Sequence, residues 1–70
     1  MNKAITATQG TGTQDDPKQS WVWTGNEWTK DYDSLRIYKT EKPFQKSLRR
    51  ALNTGRFDGN NIEILKGTLT

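Results

Sequence analysis

Phe44, Leu48, Ala51 and Leu52 recur at i, i+4, i+7 and i+8, and at about 100° per residue they fall on one stripe of a helix. Pro43 suits only the first turn of such a helix, Thr40 is a candidate cap, and Gly55 suits the C′ position that ends it. A helix with a single apolar stripe needs a second apolar layer to cover it, so the rest of the chain has to supply one. In a 70-residue chain that is 30% hydrophobic, that layer is small, and the whole makes one domain with a modest core.

Three further segments read as strands. In Ser20-Trp21-Val22-Trp23-Thr24-Gly25-Asn26-Glu27-Trp28-Thr29, β-branched and aromatic residues flank a Gly-Asn pair that accepts the positive φ of tight turns, which predicts a β-hairpin. By the two-residue period Trp21 and Trp23 share one face, Val22 takes the other, and Trp28 meets one of the two tryptophans across the strands. Asp31-Tyr32-Asp33-Ser34 reads as a turn, and Leu35-Arg36-Ile37-Tyr38-Lys39 as a third strand with Leu35, Ile37 and Lys39 on one face. After the helix, Phe57-Asp58-Gly59-Asn60 has turn chemistry, and Asn61 to Leu65 forms a short strand with Ile62 and Ile64 on one face. Residues 1–19 are mainly Thr, Gln, Gly, Asp and Lys, too polar to offset their ordering entropy, and are expected to form a disordered N-terminal tail ahead of a binding domain over 20–70. The expected fold is thus a small single α+β domain in the order β-β-β-α-β, a three- to four-stranded antiparallel sheet packed by one amphipathic helix.

Charge is unevenly spread. Residues 1–33 carry three lysines against five carboxylates, net −2, whereas residues 34–70 carry eight basic residues against three acidic ones, net +5. The basic half concentrates polyanions or acidic protein faces near it without selecting among them. On the helix, Lys46, Arg49, Arg50 and Asn53 lie opposite the apolar stripe. Arg49 and Arg50 also occupy the last turns, where cations favour the carbonyl end of the helix dipole, so their placement has a structural explanation as well as a functional one.

Catalytic chemistry finds little to work with. The chain has neither cysteine nor histidine, which excludes disulfides, zinc-finger ligation and Cys or His nucleophile chemistry, and leaves Ser20, Ser34 and Ser47 without an imidazole to activate them. Asp31 and Asp33 are the one close carboxylate pair in the expected folded part, and an Asp-rich turn accounts for them. They lack the Gly and closing Glu of a calcium loop, so no metal site and no cofactor are implied. Gly10-Thr11-Gly12-Thr13 lacks the Lys-Ser or Lys-Thr of a phosphate loop. The longest apolar run is Trp21-Val22-Trp23, against the roughly 20 residues of a membrane span, and the N-terminus has no secretory or organellar pattern, so a cytoplasmic protein is expected.

What remains is binding. Arg and Lys suit phosphates as charge-assisted donors, and Arg49 and Asn53 are of the types that pair with base edges. Ser47 to Arg56 resembles the end of a recognition helix in small helix-turn-helix or winged DNA-binding domains, which also leave through a Gly into a strand. A helix-turn-helix needs a preceding helix where Leu35 to Thr40 reads as a strand, so no family is assigned. The expectation is a non-catalytic protein that binds DNA or RNA through Lys46, Arg49, Arg50, Asn53 and Arg56, with Arg36, Lys39 and Lys42 as a rim. Trp21, Trp23 and Trp28 are candidates for stacking on bases, though tryptophans on strand faces also build small cores. The alternative is a small regulator or inhibitor, of viral or mobile-element type, that docks on an acidic surface of a larger protein assembly through a Trp-rich face and the basic helix.

Overall fold

The computed structural model describes residues 2–67. Four strands, β1 (Lys3–Gln9), β2 (Gln19–Trp23), β3 (Trp28–Thr29) and β4 (Ile62–Lys66), form one antiparallel sheet in the spatial order β3-β2-β1-β4, and helix α1 (Glu41–Asn53) packs on one face. The α+β class and the order β-β-β-α-β are as expected, but two of the assignments inside that order differ.

The first difference is at the N-terminus. Residues 3–9, expected within the tail, form a central strand with a hydrogen-bonded neighbour on each side, and Ala4, Ile5 and Ala7 have no exposed surface. Small and β-branched residues explain this. Ala7 stands opposite both Trp21 and Ile62, and its methyl group leaves room for the indole, while Thr6 on the far face donates its hydroxyl to the Glu63 carbonyl. A strand buried on both faces does not show the polar alternation that marks a half-buried one. The Gly-Thr-Gly segment and Asp15-Asp16 then form the loop that returns the chain to β2, closed by Asp16 accepting from the Thr11 amide and by the Gly12 amide donating to the Asp16 carbonyl. Gly10 starts this loop at φ +110°, and a Cβ there would sit 2.4 Å from the Pro17 carbonyl oxygen.

The second difference is at Leu35–Lys39, which is an extended connector instead of a strand. The Arg36 amide donates to the Trp23 carbonyl at the end of β2, and Tyr38 exchanges two backbone hydrogen bonds with Lys3 at the start of β1. Successive backbone groups thus go to different strands, so the segment crosses the end of the sheet and carries the chain from the β3 edge to the start of α1. Asp31 to Ser34 before it is a single 3-10 turn, capped by the Asp31 carboxylate accepting from the Asp33 amide.

The hairpin is as expected. Trp23 pairs with Trp28, their rings 5.2 Å apart and edge to face, and the turn between them has Gly25 alone at positive φ, the pattern of a II′ connection. The Thr24 hydroxyl accepts from the Asn26 and Glu27 amides and fixes that turn. Between sheet and helix lies a core of Ile5, Ala7, Trp23, Trp28, Tyr38, Phe44, Ala51 and Phe57. Phe57, read from sequence as part of a turn, instead packs edge to face on Trp28 at 5.0 Å, and Leu52, read as part of the buried stripe, is 44% exposed. Gly55, at φ +69°, turns the chain back past the end of α1 and lets Phe57 reach the core.

Candidate anion-binding groove

The expected cationic residues divide into three groups. Lys42, Lys46 and Arg50 follow one ridge of α1 at i, i+4 and i+8, with Arg49 and Asn53 beside it, and all five are exposed. Arg36 comes from the connector, and Lys39 is exposed between it and the helix. Arg56 follows the helix, with its guanidinium carbon 4.2 Å from the centre of a Trp21 ring.

Three of these cations line one concavity. Arg36, Lys46 and Arg50 surround a cavity of about 290 Å³ together with Gly25 and Asn26 of the hairpin turn, Pro43, Ser47 and the Tyr38 ring. No carboxylate is among its lining residues. The sole ion pair among the described residues, Lys3 with Glu41 at 3.2 Å, lies elsewhere, so none of the three groove cations is neutralised by a salt bridge. Hydrogen bonds from Gln45 and then Lys3 hold the Glu41 carboxyl below its ordinary value, so this acid is fully occupied where it stands.

The groove is built by parts far apart in sequence. The bond from the Arg36 amide to Trp23 fixes the connector beside the hairpin, and the Arg36 guanidinium lies 5.6 Å from the centre of the Tyr38 ring. Tyr38 is 5% exposed and donates its hydroxyl proton to Ser47 Oγ, which ties the connector to α1 and leaves the Ser47 proton available to an acceptor. Gly25 borders the same space, since a Cβ there would lie 3.6 Å from the Tyr38 hydroxyl and 3.9 Å from Arg36 Cδ. A second cavity, about 160 Å³, is lined by Thr6, Thr8, Ser20, Val22, Glu63 and Leu65 with Ala7, Trp21 and Tyr32, and has no cation in its lining.

Of the two roles expected for the tryptophans, core building and stacking, two of the three take the first. Trp23 and Trp28 are buried at 1% and 5% exposure, and the Trp28 indole donates to the Thr54 hydroxyl, so neither presents a face for stacking. Trp21 is half-buried against Phe57 and overlain by Arg56 and Lys30, the latter 4.9 Å from the ring centre. Part of its aromatic surface is thus covered by cations of the same chain. The Trp-rich face on which protein docking would rely is therefore mostly inside the core.

Asn26, Tyr38 and Ser47 are groove residues that sequence reasoning did not select. Asn26 was legible as a turn residue and Ser47 as a helical serine, but their convergence depends on the connector crossing the sheet end, which no local pattern encodes. Among the described residues no cluster of three or more acidic, Cys or His side chains could hold a metal ion, and no helix is long and apolar enough to cross a membrane. No family model, curated protein or solved structure matches this chain.

Proposed function

We propose that this is a non-catalytic nucleic-acid-binding protein that contacts phosphates through the cationic side of α1 and the groove beside it. The observation that carries this is the convergence of Arg36, Lys46 and Arg50 on one concavity without a carboxylate in its lining. Three like charges repel one another, and a site that assembles them without internal neutralisation is favourable when an anion occupies it. Lys42, Arg49 and Asn53 extend the same helix face beyond the groove and supply further phosphate or base-edge contacts. We place its action in the cytoplasm, on nucleic acid present there.

Fluorescence anisotropy with labelled single-stranded DNA, duplex DNA and RNA at two salt concentrations tests the proposal. Binding should weaken steeply with salt as counterions are released, and the double variant Lys46→Gln/Arg50→Gln should flatten the slope of log affinity against log salt by about 1 to 2. Absence of binding to all three at the lower salt would overturn nucleic-acid recognition, and an unchanged slope would remove these two residues from the contact.

A further inference from the structure

We propose that the groove is a seat for a terminal phosphomonoester, so that the protein favours a phosphorylated strand end over the uninterrupted backbone; this rests on the nucleic-acid reading above. Three observations lead there. The first is charge. A phosphodiester carries one negative charge, whereas a terminal phosphate near neutrality carries about −1.5 to −2, the better match to three unneutralised cations in one cavity.

The second is the donor supply. Two guanidiniums with five N–H groups each, an ammonium with three, the Asn26 amide and the Ser47 hydroxyl surround the space. Those donors can serve all three terminal oxygens of a monoester, one more oxygen than the two non-bridging ones of a diester. Ser47 belongs in this set because Tyr38 supplies the proton to its oxygen, so Ser47 has its own proton to give.

The third is shape and fixity. At about 290 Å³ the cavity lies at the small end of ligand pockets, with room for a phosphate and the sugar attached to it. Its walls come from the hairpin turn on one side and α1 on the other, over a floor formed by the Tyr38 to Ser47 hydrogen bond. The lining residues are held by backbone and aromatic contacts: the Arg36 amide on Trp23, its guanidinium against Tyr38, and Gly25 in a turn fixed by Thr24. A seat of this volume takes a terminal phosphate and its sugar without the rest of the strand.

The test uses one short single-stranded sequence in four forms, with hydroxyl or phosphate at the 5′ end and at the 3′ end, titrated at low salt, together with a nucleoside 5′-monophosphate as a separate ligand. The expected result is about tenfold tighter binding of one phosphorylated end over its hydroxyl counterpart. That preference should be lost in Arg36→Gln and reduced in Ser47→Ala, while Arg49→Gln weakens all forms alike and keeps the ratio. Emission from the buried Trp23 and Trp28 verifies that each variant is folded. Equal affinity for all four forms overturns the end preference and leaves nucleic-acid binding standing. Binding of the monophosphate with none of the oligonucleotides supports a phosphomonoester seat, assigns it to free nucleotides and overturns the nucleic-acid reading. No binding by any ligand overturns both.

Discussion

At the scale of single residues, burial and pairing separate the side chains that hold the fold from those free to bind. Phe44 is 1% exposed, touched edge to face by Tyr38 and overlain by the Lys3 ammonium at 4.8 Å. Phe44→Ala should cost about 3–5 kcal/mol of unfolding free energy, read from urea denaturation, because it empties the contact between α1 and the sheet. In so small a core that loss is a large share of the total stability, so the urea midpoint should fall steeply. Glu41 offers a pH prediction. Its folded-state pKa lies below the ordinary glutamate value, so its contribution is present above that ordinary value and disappears as pH falls through the lowered one. Glu41→Gln should therefore lessen the stability lost on acidification through this window, measured by denaturation at a series of pH values, with little effect at neutral pH beyond loss of the exposed Lys3 pair. These residue-scale facts also show what one-dimensional reading can reach. The pairing of Trp23 with Trp28 was legible because turn chemistry fixes a hairpin register locally. The burial of Phe57 was not, because Asp58, Gly59 and Asn60 around it are turn formers and only the reversal at Gly55 returns its ring to the core.

At the scale of elements, α1 and β1 make opposite points. The extent of the helix was legible: Glu41–Asn53 starts after Thr40, carries Pro43 in its first turn and ends ahead of Gly55, although the Thr40 hydroxyl makes no capping hydrogen bond and Leu52 lies outside the buried stripe. Its cationic ridge is a local burden. Lys42 to Lys46 and Lys46 to Arg50 are like-charge i, i+4 pairs, each unfavourable by about 0.2–0.5 kcal/mol. Lys46→Gln should leave the protein slightly more heat-stable at low salt while weakening oligonucleotide binding, and the gain should shrink as salt rises. A fall in stability would mean that Lys46 is retained for packing. β1 was not legible, since Lys3 to Gln9 contains one large apolar residue, Ile5, and its central place depends on β4, whose paired residues lie at the far end of the described chain. Removing residues 1–9 should eliminate the cooperative thermal transition, whereas a disordered tail could be cut without loss. Circular dichroism of the shortened chain decides between these outcomes.

At the scale of the molecule, the charge asymmetry seen in the sequence becomes a spatial one only where the connector brings Arg36 to α1. The basic half could be read from composition, but the groove required knowledge of which turn lies beside which helix face. A small domain with a limited core gains measurably from any ligand that binds its folded state. Adding oligonucleotide at about 100 times its dissociation constant should raise unfolding free energy by about 2.7 kcal/mol, seen as a higher melting temperature at low salt and no shift where salt abolishes binding.

The position of β1 also has a consequence for how the chain is made. Its neighbours are β2, which follows directly, and β4, the last element, with Ile5 opposite Ile64 and the Gly67 amide donating to the Asn2 carbonyl. During synthesis β1 is made well before β4, and until β4 joins it one side of β1 offers an unpaired row of backbone groups to any other extended chain. Pairing of β4 is therefore the event that turns β1 from an edge strand into a central one.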